Sequence, residues 1–166
     1  MNLRHLVTYP IYLTGLGTSL LGLGWLFAPE PWLLDQKANE ALLQTTYAQL
    51  LAADINAHLG DYLTGLYRFF GWWIFAIGLL VLAYAFAARL ETKRARNVLH
   101  FTLVLIVGGL YALQLKFIPI SPFLWATYGF AAMILLSFGA SLKMDRSDGG
   151  GCEGIRRDTS RGTQSA

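Results

Sequence analysis

The sequence predicts an all-α fold: a four-helix transmembrane bundle with an outer amphipathic helical segment between spans one and two. Three observations predict it. Hydrophobic residues make up 55% of the 166 residues and charged residues only 14%, whereas soluble domains carry about 25% charged residues. The charges are segregated, with long stretches holding none and short stretches holding most of them. Four apolar runs each approach the roughly 20 residues that a helix needs to cross about 30 Å of hydrocarbon.

The first run, residues 6–28, carries no charge and ends at Pro29-Glu30-Pro31. Its short basic start resembles a signal peptide, but a signal core is only about 7–15 apolar residues long. A retained helix is therefore expected. Residues 31–67 form the one sizeable piece between spans. Leu42, Leu43, Tyr47, Leu50, Leu51 and Ile55 recur there at steps of three and four, the period of an amphipathic helix. The stretch from Asp54 leads towards span two, although Gly60 and Gly65 weaken helical continuity.

Span two covers residues 69–88, span three 98–115 and span four 122–142. Residues 1–143 thus make one membrane domain. Residues 144–166 are polar and glycine-rich from Ser147 onward and lack the apolar content to fold, so a disordered cytoplasmic tail is expected.

Orientation follows from Lys and Arg, which accumulate on the cytoplasmic side of short loops. With both termini cytoplasmic, ten of the thirteen basic residues lie inside. Only Lys37, Arg68 and Lys116 lie outside. The basic residues flank apolar spans, which places them for a membrane and excludes a nucleic-acid partner. Trp32, Trp72, Trp73 and Trp125 all fall near the outer boundary, where indole rings prefer to sit.

Glycines within the spans are read as helix-packing positions. Gly15, Thr18 and Gly22 share one side of span one, and Gly71 and Gly78 offer a similar face in span two, as do Gly129 and Ala132 in span four. Small residues let two backbones approach closely. A nucleotide loop would need a strand before the glycines and is excluded.

Asp54, His58, Asp61 and Arg68 form the sharpest polar constellation. On one continuous helix their spacings put them on a single stripe. Asp54, His58 and Asp61 have the chemistry of metal ligands, but a solvated helix face is the expected reading. No metal is expected. Arg68, at the edge of span two, reads as an interfacial anchor or as a contact for an anionic headgroup or substrate. His100 and Gln114 lie near opposite ends of span three. No catalytic set of residues is visible, and the single cysteine, Cys152, excludes an intrachain disulfide.

Gly15, Gly22 and Gly24 before the Pro29/Pro31 stop, then Leu66-Tyr67-Arg68-Phe69-Phe70-Gly71 leading to Gly78-Leu79, resemble the DUF4345 proteins, small four-helix bacterial membrane proteins, with the broader DoxX-like group behind them. The likeness covers about half of the chain, and Trp72 stands where a second glycine often follows. It implies a four-span bundle in a bacterial inner membrane and no established reaction.

The leading functional expectation is a non-enzymatic structural or interaction protein of the cell membrane, surrounded by membrane lipids and associating with copies of itself or with another membrane protein. Two alternatives stand beside it. One is a binder or transporter of a lipid-like or small anionic ligand through Arg68, Asp61, His58 and Asp54. The other is a quinone-linked redox accessory, with Phe69, Trp72, Trp73, Tyr111 and Tyr128 as apolar contacts. No motif calls for a cofactor; a quinone or a lipid belongs only to the alternatives.

Overall fold

The computed structural model describes the backbone of residues 3–161 and the side chains of residues 3–147. Four long helices dominate: α1 (Leu3–Phe27), α4 (Leu59–Ala88), α5 (Lys93–Phe117) and α6 (Phe123–Arg161). Two short helices, α2 (Gln36–Leu43) and α3 (Tyr47–Ala52), lie between α1 and α4, each neighboured by a 3-10 turn. There is no strand among the described residues. The stretches Leu3–Phe27, Asp54–Ala88, Lys93–Phe117 and Phe123–Ser147 are each long and apolar enough to cross a membrane. They point to a multi-pass membrane protein.

The extensive helix pairs are α1 with α4, α1 with α6, and α5 with α6. The helices therefore run in the spatial order α4–α1–α6–α5, with α1 and α6 in the middle. Small residues explain the close pairing of α1 and α4. A Cβ added at Gly22 would lie 2.3 Å from the backbone nitrogen of Phe75, and one at Gly78 only 2.5 Å from that of Ser19. A Cβ added at Gly71 would lie 2.8 Å from the carbonyl oxygen of Gly22. Gly15 faces Gly78 and Leu82. Ser19 is buried between Gly15 and Gly22, while Thr18 is only half-buried. Gly129 has open space beside it.

One end of the row is closed by a shared apolar core. Val7 and Ile11 of α1, Val81 and Ala85 of α4, Leu99 and Leu103 of α5 and Ile134 of α6 are all buried there. This is where α1 begins, where α4 turns into α5 and where α6 leaves; we call it the clasp end. The opposite, segment end carries α2 and α3.

The piece between α1 and α4 is not one amphipathic helix. Gln44 adopts the left-handed conformation (φ 55°) and ends α2, and the Thr46 hydroxyl caps α3 by accepting from the Gln49 N–H. Leu42, Leu43 and Ile55 consequently stay exposed, while Tyr47 and Trp32 are buried. Trp32 packs inward, whereas Trp72, Trp73 and Trp125 are exposed. The segment is pinned by specific bonds. Asn39 donates to the Tyr67 hydroxyl at 2.8 Å, Glu40 accepts from the Tyr47 N–H at 2.9 Å, and Asp35 accepts from the Ser121 hydroxyl at 2.8 Å.

Helix α4 runs unbroken through Gly60 and Gly65. Because Gly71 lies against Leu26, near the end of α1, the twelve residues of α4 before Gly71 overhang by about 18 Å at 1.5 Å per residue. At its other extremity the fold passes the expected domain boundary at Lys143. Residues 144–147 continue α6, and Asp145 turns back into the bundle. From residue 148 on, the expected tail lies outside the residues whose side chains are described.

Candidate functional site

The polar constellation expected from sequence does not assemble. Asp54 sits in a 3-10 turn, and His58 precedes α4 with non-helical backbone angles (φ −107°, ψ 4°). The continuous helix that would align Asp54 with Asp61 and Arg68 is thereby broken. All four side chains are exposed. No group of three His, Cys, Asp or Glu residues among those described is placed to hold a metal ion.

The buried polar chemistry lies at the clasp end instead. Arg96, in the first turns of α5, is 2% exposed. Its Nε donates to the Ser141 hydroxyl at 2.9 Å, and its Nη1 donates to the carbonyls of Leu90 and Glu91 at 3.2 and 2.8 Å. Its Nη2 pairs with the carboxylate of Asp145. The second Asp145 oxygen has the Lys93 ammonium at 3.9 Å, too distant for a hydrogen bond. A guanidinium out of water is tolerated only when paired and hydrogen-bonded, and here each of its three nitrogens has a protein partner.

These bonds hold a strained turn. Arg89 and Leu90, consecutive and neither of them glycine, both have left-handed backbone angles (φ 48° and 50°). Such residues cost about 1–3 kcal/mol each and persist when their surroundings over-determine them. Leu90 is buried, and its carbonyl and that of Glu91 are the two that Arg96 engages. Thr92 then caps α5 by accepting from the Ala95 N–H.

One turn further along α5, His100 continues the network across the molecule. Its Nδ1 lies 2.7 Å from the Arg96 carbonyl and its Nε2 lies 2.9 Å from the Ser137 hydroxyl. Ser137 in turn donates to the Val7 carbonyl of α1 at 2.7 Å. A hydroxyl has one proton. A ring protonated at Nδ1 alone donates to the Arg96 carbonyl and can accept at Nε2 only if the Ser137 hydroxyl turns away from Val7.

In the sequence Arg96 falls among the cations between spans two and three, and Asp145 falls beyond the end of span four. The signal was nonetheless present. Arg96 and His100 are four apart, and Ser137, Ser141 and Asp145 follow the same step, so each set lines one helix face.

The segment end holds smaller polar contacts. Thr127 donates to the Gln114 side chain at 2.7 Å. Burial raises the Asp35 carboxyl above its ordinary range, opposed by the Ser121 hydrogen bond, and the second Asp35 oxygen is buried without a partner. Tyr47 is likewise pushed up, first by burial and then by its neighbour Tyr67.

Two grooves open on the helix row, both lined by apolar surface. One of about 500 Å³ lies between α1 and α6 beside Gly24 and Trp25. The other, about 270 Å³, lies between α5 and α6. Tyr111 and Tyr128 line the latter, their rings 5.7 Å apart. Phe69, Trp72 and Trp73, expected as contacts of the same ligand, are on α4 at the opposite side of the row. No family model matches the chain, and no curated protein or solved structure matches it.

Proposed function

We propose that the protein is a small non-enzymatic structural or interaction protein of the cell membrane, with both termini in the cytoplasm. One observation carries the reading. In the buried polar site at the clasp end, Arg96 and His100 spend every side-chain nitrogen on protein groups from the α4–α5 turn, α5 and α6, and the second Asp145 oxygen is left without a hydrogen bond. Such a site braces helices. The topology is supported by the basic residues, which crowd the clasp end.

Native mass spectrometry after mild detergent extraction tests the role. A homo-oligomer or a stable complex with another membrane protein is the expected result. A monomer carrying one equivalent of a small molecule other than a phospholipid overturns it. The topology is tested at the single cysteine, Cys152. A membrane-impermeant thiol reagent should label it only after the cells are opened.

The quinone reading draws on the groove between α5 and α6, where Tyr111 and Tyr128 meet. It requires that an extracted quinone be lost on Tyr128→Ala. The anionic-ligand reading requires loss of ligand in Arg68→Leu.

A further inference from the structure

The two ends of the helix row differ in charge. Residues 89–96 and 143–147, at the clasp end, hold six cations against two carboxylates. Residues 28–68 and 116–122, at the segment end, hold three cations against five carboxylates. Of the clasp-end carboxylates, Asp145 pairs with the buried Arg96 and also lies 3.9 Å from the Lys93 ammonium. Among these described residues Glu91 is the one further acid beside Arg89, Arg94, Lys143 and Arg146, which like Lys93 are exposed.

The framework that carries these cations is rigid. Arg89 belongs to the left-handed turn whose following carbonyls are held by Arg96. Lys93 and Arg94 stand on the capped first turn of α5. Lys143 and Arg146 flank Asp145 on α6, and Asp145 is bound to Arg96. One buried guanidinium thus fixes both elements that carry the exposed cations. Preorganisation of this kind lowers the ordering cost of binding.

We propose that the clasp end is a docking surface for anionic phospholipid headgroups, gripped between the α4–α5 turn and the turns of α6 around Asp145. Charge complementarity selects the partner, because a phosphodiester offers a negative charge and several acceptor oxygens to ammonium and guanidinium groups. Depth selects a lipid over a free anion, since the apolar stretches of α4, α5 and α6 border these residues, which places the cations at the headgroup level. The inference rests on membrane residence of the four helices and is independent of the structural role proposed above.

The test uses the full chain in neutral detergent, titrated with phosphatidylglycerol or with phosphatidylcholine of the same acyl chains and read by native mass spectrometry. Phosphatidylglycerol should bind at least about tenfold more tightly. The triple variant Arg89→Gln, Lys93→Gln, Arg94→Gln should lose affinity by about fivefold per cation removed. Lys143→Gln with Arg146→Gln should weaken binding in proportion and serves as the second variant if the triple fails to fold. Lys37→Gln, Arg68→Gln, Lys116→Gln removes the same charge from the segment end and should leave binding intact.

Equal binding of the two lipids overturns the proposal, as does an equal loss in the two triple variants. Displacement of phosphatidylglycerol by millimolar inorganic phosphate would assign the surface to a free anion and also overturn it. Failure of the wild-type chain to remain in phosphatidylcholine nanodiscs would instead remove the membrane reading beneath it.

Discussion

Arg96 and Asp145, 49 residues apart in sequence, form a buried ion pair that ties the first turns of α5 to α6 just past the expected end of its span. The Arg96 side chain is 3% exposed and that of Asp145 14%, so water does little to screen the pair. Removing one partner leaves the other charge uncompensated, at a cost of about 3–5 kcal/mol. Arg96→Met should therefore lower the thermal unfolding midpoint in detergent strongly. Arg96→Met with Asp145→Leu should recover the charge penalty alone, because the carbonyls of Leu90 and Glu91 still lose their donor. Equal midpoints for wild type and Arg96→Met would show that the pair is not formed.

The glycines of α1 and α4 give a contrast of sign. Gly78→Ala places a methyl group against the Ser19 backbone and the Gly15 carbonyl. Backbone atoms cannot move aside cheaply, so a loss of about 1–3 kcal/mol is expected. Gly24→Ala meets nothing within 4 Å, and alanine favours a helix by up to about 1 kcal/mol over glycine. Paired melts of the two variants should move in opposite directions; a common direction would argue against the described α1–α4 contact.

Asp35 makes segment docking pH-dependent. Burial raises its pKa above the ordinary 3.8, and the Ser121 hydrogen bond opposes that rise. The docked state holds the proton more readily than the undocked chain. This contribution to docking is therefore complete below the ordinary value and is lost as pH rises through the raised one. Limited proteolysis of residues 31–58 should accelerate from acidic to neutral pH. Asp35→Asn should flatten that dependence, and an unchanged profile in the variant would place the titration elsewhere.

Ser137 has no exposed surface and sits between His100 and the Val7 carbonyl. Ser137→Ala strips a partner from His100, whose desolvation should cost about 1–3 kcal/mol. The variant should also shift the His100 imidazole resonances in NMR spectra of the labelled protein. Unshifted resonances would exclude the contact.

The four long helices were legible because long uncharged runs stand out in the sequence, and the observed helices cover the predicted runs except for Ala28 and Pro122. The glycine positions of α1 and α4 were legible for a related reason, since a small side chain inside a span has few uses besides close approach. The break at Gln44 was not, because an apolar period of three to four survives a turn that the cap at Thr46 can enforce. Nor was the Arg96 clasp. A hydropathy reading sees Arg96 as a loop charge and Ser137 and Ser141 as minor interruptions, and only the crossing of α5 with α6 makes them partners. Asp54 and His58 failed in the opposite sense. Their spacing fits a stripe, but the backbone at His58 leaves the helix before the stripe can form.

The spatial order α4–α1–α6–α5 also constrains how the protein can be made. Synthesis delivers α5 before α6, yet α6 supplies the Asp145, Ser141 and Ser137 that Arg96 and His100 require. A half-finished chain therefore has a helix whose cation can bond the carbonyls of its own turn but lacks its counter-charge. The clasp is complete only when α6 arrives, and a chain cut short before Ser137 leaves Arg96 without its counter-charge.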